Sequence, residues 1–442
     1  MAHSERARQW VHVGSGLFAL LLRVLTAWQA AALAATALTF NLIVLPRIGG
    51  RRLYRPVDAA RGFPLGILLY PLSVLLLILV FPSRLDIVAA AWGILAFGDG
   101  FATLVGQRIG RRQVPWNREK TIAGTIAFVV FGGIGAVALA LWTRSAVTPP
   151  PSLAFVIIAP LIAAVTAALV ETLPVRLDDN ISVPMAAAVA LWYASLMTPE
   201  AFAAARATVL AQLPWAVALN AVISWLGYRA RTVSRSGAIA GALIGIVIYA
   251  AGGWRAWLML FITFLVAAVA SRLGMKRKLL LGIEEERGGR RGAGNAFANC
   301  GIATFAAVAA VTTPDRAAAW LAFVAALTAG GSDTVASEIG KAWGKSTFLV
   351  TSFGRVKPGT PGAMSLEGTA AGVVSAFALA LIAVALGEIA ATMILAIVVG
   401  ATAGALVESA LGATLEGPGI LNNDMLNFIN TAVAAAVALA IA

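Results

Sequence analysis

Cysteine and histidine are almost missing from this chain, and charge is scarce. The one cysteine, Cys300, cannot form an intramolecular disulfide and says nothing of redox compartment. The two histidines, His3 and His12, exclude a histidine-rich zinc site. Only 12% of the 442 residues are charged, whereas 60% are hydrophobic. No soluble domain of this size needs so much apolar sequence. The apolar runs also lack the alternation of apolar and polar residues that a membrane barrel strand requires. A small-residue cleavage site after the first apolar stretch is missing too, so no cleavable signal is expected.

What is present is a succession of apolar runs near 20 residues, the length that crosses a bilayer core of roughly 30 Å. Backbone polar groups cannot stay unpaired in lipid, so the runs read as helices. The expected fold is an all-α polytopic membrane protein with about fifteen transmembrane helices. They are placed near 11–24, 26–46, 62–81, 85–105, 121–142, 153–172, 182–198, 207–228, 236–251, 254–271, 295–312, 316–339, 366–386, 388–410 and 425–441. The net charge of +13 does not point to nucleic acid, because the basic residues sit in short loops between the runs. With the N-terminus in the cytoplasm, all but six of the 33 Lys and Arg (Arg23, Arg84, Arg144, Arg206, Arg255, Arg316) fall on the inner side. That asymmetry predicts N-in, C-out in the cell (inner) membrane, with the polar loops facing cytoplasmic nucleotides.

A repeat runs through the chain. Gly98-Asp99-Gly100 is followed by Ala102, Gly106 and Gly110, and Ser332-Asp333-Thr334 by Ala336, Gly340 and Gly344. Next come Lys120-Thr-Ile-Ala-Gly124-Thr and Met364-Ser-Leu-Glu-Gly368-Thr. Glu171 with Asp178-Asp179-Asn180 then matches Glu408 with Asn422-Asn423-Asp424. The shift is eight spans, an even number that preserves orientation. The expectation is two parallel seven-helix repeats joined by a linking helix: domains over 1–200 and 233–442, with the link at 201–232.

A carboxylate between two glycines at the end of an apolar helix is costly in lipid, which marks Asp99 and Asp333 as candidate functional residues. The recurring glycines are those a phosphate chain would need for close approach to the backbone. The loop after Asp99 adds Arg108, Arg111, Arg112, Asn117, Arg118, Lys120 and Thr121, leading to Gly124. Cations beside a metal-holding carboxylate are the minimal equipment for phosphoryl transfer. Glu171, Asp178 and Asp179 complete an oxygen set suited to Mg2+. The second half offers Asp333, Glu338, Glu408 and Asp424 as metal ligands, with Glu367 as a further carboxylate. Its phosphate-binding candidates are Lys341, Lys345, Arg355, Lys357, Ser365, Asn422 and Asn423. The charges at 284–287, 290 and 291 read as a solvated loop, although Arg290, Arg291 and Asn295 have the chemistry to bind phosphates. Gly344-Lys345-Ser346 fails as a P-loop, because the required first glycine falls at Ile339 and no strand precedes it. His12 has the chemistry for a catalytic role, but a single histidine at a membrane entry is as often an interfacial residue.

These residues carry a resemblance. GDGFATLVGQRIGRRQVPWNREKTIAGT (98–125), LVETLPVRLDDN (169–180) and the opening RQWVHVGSG (8–16) resemble phytol kinases of the polyprenol kinase and phosphatidate cytidylyltransferase group. RRGAGNAFAN (290–299), the long stretch from Gly331 to Thr369, and ALGATLEGPGILNNDMLNFIN (410–430) resemble phytyl-phosphate kinases, a DUF92-type membrane family. Together they imply a fusion in which a prenyl alcohol, such as phytol, geranylgeraniol or farnesol, becomes a monophosphate and then a diphosphate. They imply CTP or another nucleoside triphosphate as donor. The expected catalytic residues are Asp99, Lys120 and Glu171 in the first site, and Asp333, Glu367 and Glu408 in the second. Position 123 is Ala where lipid kinases and cytidylyltransferases of the wider group often carry Glu, which argues against cytidylyl transfer in the first half. The rival readings are a membrane transporter or lipid flippase, and a cytidylyltransferase that forms a CDP-lipid. Against transport, the charged clusters lie at one face rather than at the midplane.

Overall fold

The computed structural model describes residues 5–48, 65–173, 178–282, 290–418 and 420–442. The basic residues at 51, 52, 55, 61 and 176 and the charged stretch 284–287 lie outside the described residues. The protein is an all-α polytopic membrane protein, and among the described residues eleven helices are long and apolar enough to cross a bilayer. The chain divides into two compact units, Met1–Leu196 and Met197–Ala442.

The first unit begins with α1 (Glu5–Ser15), a 3-10 segment (Gly16–Arg23) and α2 (Ala27–Thr39), which starts at a reciprocal Thr26–Gln29 capping box. Helix α3 (Leu65–Val80) follows. Helix α4 (Leu85–Gly93) passes through a π-helical turn, Ile94–Asp99, into α5 (Gly100–Ile109). Strands β1 (Gln113–Val114) and β2 (Asn117–Thr121) form a small antiparallel hairpin. Helices α6 (Ile122–Thr143), α7 (Leu153–Glu171) and α8 (Asp179–Leu196) close the unit. The buried run Ile87–Ala91 with Ile94, Leu95 and Ala96 makes α4 the central helix. Its alanines, and Gly93 lying against the backbone of Gly135 and Ala136, let neighbouring backbones come close.

The second unit contains α9 (Pro199–Arg229), α10 (Arg235–Arg272), α11 (Met275–Leu281), α12 (Ala293–Thr312) and α13 (Arg316–Trp343). A second hairpin, β3 (Thr347–Leu349) with β4 (Ala363–Ser365), leads into α14 (Leu366–Ala385). Helix α15 (Ile394–Leu411) ends in a π-helical turn, Gly412–Glu416, before α16 (Asn423–Ile441). Helix α13 is the central one here, with Phe323 to Leu327 fully buried.

Among the described residues eleven helices reach the length and apolarity of a span where fifteen spans were expected, for local reasons. The stretch 11–24 is split between α1 and the 3-10 segment at its glycines. Spans 236–251 and 254–271 form one helical element broken at Gly253, whose φ of +72° is open to glycine. Helix α3 has only 16 described residues, and α8 carries Asp179, Asn180 and Ser182 at its start. Both hairpins lie in what the sequence shows only as polar loops.

Candidate active sites

In the first unit the chain gathers Asp99, Glu171 and Asp179 so that one oxygen of each lies within 4.8 Å of the others. Three elements deliver them. Asp99 ends the π-helical turn, Glu171 ends α7 and Asp179 begins α8. A π turn rotates the side chains that follow it, and such turns are common at functional sites. Lys120 Nζ, from the end of strand β2, donates to Glu171 Oε1 at 2.5 Å and to Asp179 Oδ2 at 2.8 Å. Burial works against the Lys120 charge, but Asp179 and Glu171 outweigh it and hold its pKa above the ordinary value. Burial pushes the Asp179 carboxyl above the usual carboxylate range, against the pull of Lys120, and Asp99 adds to the push. With all four groups ionised the cluster carries a net charge of −2. All of its metal-facing donors are oxygens, so the residues present fit a magnesium ion.

His12, read from sequence as interfacial, stands at this cluster. Its Nε2 lies 3.5 Å from Asp99 Oδ2 and 3.0 Å from the Leu95 carbonyl. A carbonyl only accepts, so neutral His12 carries its proton on Nε2 and its lone pair on Nδ1. No spacing in the sequence signals this contact, because α1 reaches Asp99 only through tertiary packing. His12 also lines an open groove of about 1610 Å³ whose walls are mostly apolar, among them Leu21, Leu33, Val74 and Ile78. Tyr70 and Asn180 stand with His12 at the polar part of the groove.

The other candidates of this half have different surroundings. Arg108, Arg111, Arg112 and Arg118 are exposed and form no ion pair with the carboxylates among the described residues. Asp178 turns away and accepts from Asn180 N and Nδ2 at 3.0 and 2.7 Å. Asn117 accepts from Glu119 N and donates to Leu173 O, tying the hairpin to the end of α7. Thr121 caps α6 by accepting from Gly124 N at 3.1 Å. The recurring glycines serve helix crossing. A Cβ on Gly106 would sit 2.9 Å from Thr121 Oγ1, and one on Gly124 would sit 2.9 Å from Ala102 O. The same crossing occurs in the second unit, where a Cβ on Gly340 would sit 3.0 Å from Ser365 Oγ and one on Gly368 would sit 2.5 Å from Ala336 O.

In the second unit Asp333, Glu338, Lys341, Ser365, Glu408 and Asn423 line one polar cavity of about 1310 Å³. Asn430 Nδ2 donates to Glu408 Oε2 at 2.8 Å and fixes that carboxylate. Glu338 is buried and paired with Lys278, while Lys341 reaches its other oxygen at 3.0 Å. Lys278, which the sequence reading passed over, is buried and also donates to Ser271 O at 2.7 Å. Glu338 is therefore neutralised within the protein, unlike Asp333 and Glu408. Among the described residues no three acidic groups of this unit come as close together as the trio of the first. Ser365 caps α14 by accepting from Gly368 N. Glu367 points elsewhere, accepting from the backbone of the exposed Lys345 at 3.3 Å, and does not line the cavity. Arg355 and Lys357 are exposed and off the lining, Asn422 caps α16, and Asp424 packs beside Gly294. Arg291, Asn295, Asn299, Glu416 and Asn427 join the lining instead. Of these only Arg291 and Asn295 had a legible signal.

A family model described as integral membrane protein DUF92 matches residues 218–435. An uncharacterized membrane protein of Synechocystis is 40% identical over 202 residues, 45% of this chain and 78% of its own length. The chain belongs to the DUF92 family. Protein VTE6, chloroplastic, of Arabidopsis thaliana is 37% identical over 234 residues, 51% of this chain and 70% of its own. A probable phytol kinase 2, chloroplastic, of Glycine max is 35% identical over 141 residues, covering 31% of this chain and 48% of the kinase. The chain thus spans less than half of that kinase. No solved structure matches.

Proposed function

We propose that this protein is a bifunctional isoprenoid phosphotransferase. The first unit phosphorylates a prenyl alcohol, and the second adds a phosphoryl group to the resulting monophosphate. The observation that carries the reading is the Asp99–Glu171–Asp179–Lys120 cluster standing beside His12 at an apolar groove. Acidic oxygens, a fixed cation and a chain-sized apolar slot are what phosphoryl transfer to a lipid alcohol requires. Relatives named as probable phytol kinases support the substrate class. The resemblance to prenol kinases implies CTP or another nucleoside triphosphate as donor.

Asp99, Glu171 and Asp179 would hold magnesium, which supplies charge neutralisation at the donor phosphates. In the first unit the alcohol oxygen forms a bond to the γ-phosphorus while the bond from that phosphorus to the β–γ bridging oxygen breaks. The nucleoside diphosphate leaves, and the hydroxyl proton passes to the Nδ1 lone pair of His12, whose Nε2 lies against Asp99. Lys120 supplies the fixed positive charge, and the groove excludes water from the reacting oxygen. In the second unit the attacking group is a phosphate oxygen and needs no base. There Lys341 and Arg291 offset repulsion between two anions. The charge asymmetry of the loops supports a cytoplasmic face for both reactions.

The test is product analysis with purified protein, a panel of prenols and nucleoside triphosphates. Asp99→Asn is expected to lower monophosphate formation at least 100-fold. Asp333→Asn is expected to accumulate monophosphate while sparing its formation. The same block in both variants would refute separate sites, and release of pyrophosphate would point to cytidylyl transfer.

A further inference from the structure

The second unit holds a further cavity, mostly apolar and about 970 Å³ with the space open to solvent included, walled by α9, α10 and α12 with the glycines Gly330 and Gly331 of α13. Ile223, Ile244, Leu260 and Phe264 give it an aliphatic and aromatic surface. Its lining contains one charged residue, Arg291. Arg291, Asn295 and Asn299 also line the polar cavity that holds Asp333, Lys341 and Glu408. The two cavities therefore meet at a cation and two amides.

Arg291 is held there by its backbone. It bridges Val233, and its N–H donates to Thr232 O at 3.2 Å. A Cβ on Gly237 would come within 2.2 Å of Arg291 O, so only glycine permits this approach of α10. The guanidinium donates to Ser271 Oγ at 3.3 Å, and among the described residues no carboxylate pairs with it. A cation placed where an apolar slot opens onto a polar reaction chamber selects a ligand with an anionic head and an apolar tail.

Resting on the phosphotransferase reading, we propose that this slot is the chain-binding site for a single-chain isoprenoid monophosphate, its phosphate held by Arg291 and Asn295 at the junction. The neutral alcohol lacks the charge that Arg291 recognises, so the site separates the product of the first reaction from its substrate. Gly241 offers a direct handle. It lines the slot, and a Cβ built on it meets nothing within 4 Å, so a larger side chain would project into the open space without displacing protein atoms.

The experiment uses the full chain in detergent with a farnesyl monophosphate bearing a diazirine at the chain end. After photolysis, adducts are mapped by mass spectrometry. Adducts are expected on 220–267, 291–300 and 330–331. Unlabelled geranylgeranyl monophosphate should reduce them at least fivefold, and geranylgeraniol less than twofold. Arg291→Gln should lower labelling at least fivefold with partial recovery in Arg291→Lys. Gly241→Leu should raise the KM for geranylgeranyl monophosphate about tenfold and leave the nucleotide KM within twofold. Adducts only outside these segments, no adducts, or equal competition by the alcohol would overturn the proposal. Diphosphate synthesis with adducts elsewhere defeats the slot alone, whereas specific labelling without any phosphoryl transfer defeats the enzymatic reading and keeps the slot.

Discussion

Replacing Lys120 by Met tests the electrostatics on which the first site depends. Lys120 donates to Glu171 and Asp179 at 2.5 and 2.8 Å. At an effective dielectric near 20, each contact is worth about 6 kcal/mol of direct attraction. The three carboxylates, with oxygens within 4.8 Å, repel one another by about 3.5 kcal/mol per pair at the same dielectric. Attraction and repulsion nearly balance while the lysine is present. Without it, the cheapest relief is for one carboxylate to take a proton. At pH 7, protonating a group whose unfolded pKa is near 4 costs about 4 kcal/mol, which caps the loss of stability. Solvent around Asp179, whose side chain is 35% accessible, trims this to about 3 kcal/mol. The sign with pH follows from proton counting. The folded variant binds more protons than the unfolded chain, so its stability rises as pH falls. The deficit relative to the parent should shrink to about 1 kcal/mol at pH 5. Melting in one detergent between pH 5 and pH 8 measures it. Millimolar Mg2+ should restore part of the melting temperature and none of the phosphoryl transfer. A deficit below about 0.5 kcal/mol that does not change with pH would refute the clustered-charge account.

Lys278→Met should destabilise the second unit by about 3 kcal/mol, because Glu338 is left buried with only Lys341. Adding Glu338→Leu should recover most of that loss, and a thermodynamic double-mutant cycle measures the coupling. Gly362→Ala should reduce the folded yield in detergent, since φ is +68° and a Cβ would meet Ala413 N at 2.2 Å. Burial raises Glu388 to about 7 from 4.5, against the pull of Arg255. Its contribution to stability is present at acid pH and is lost as pH climbs through that interval. Glu388→Gln should flatten the melting temperature between pH 5 and pH 8, and an unchanged slope would show that another group titrates there.

The helical membrane character was legible because apolar runs near 20 residues admit few other structures. Asp99, Lys120, Glu171 and Asp179 were legible because ionisable residues at the ends of apolar helices are costly and few. Their mutual contact was not, since it depends on how α5, α7 and α8 pack. The glycine spacing did not disclose its protein neighbour. A glycine needed for close approach looks the same whether a phosphate or another helix approaches, and here Gly106 and Gly340 face Thr121 and Ser365. His12 and Lys278 escaped because nothing near them in sequence shares their task. Their partners lie 83 residues away at Leu95 and 60 at Glu338. Arg355 and Lys357 were legible as charges, but whether they lie at the cavity was not, and both are exposed and off its lining.

The two units share a helix crossing but not a charge distribution, and the difference tracks the two nucleophiles of the proposed reactions. An alcohol oxygen is neutral and protonated, so its site needs a base and tolerates a net negative cluster. The first unit has that balance, with three carboxylates and one lysine close together and His12 against Asp99. A lipid phosphate is already an anion, and a second anionic reactant must be brought beside it. The second unit pairs Glu338 internally with Lys278, gathers no three acids as closely as the first among the described residues, and places Lys341, Arg291 and several asparagines beside Asp333, Glu408 and Glu416. Moving a carboxylate into the second cavity, as in Asn427→Asp, should therefore impair diphosphate formation more than it impairs folding. The cost should appear in the KM for the lipid phosphate rather than in the KM of the alcohol for the first reaction.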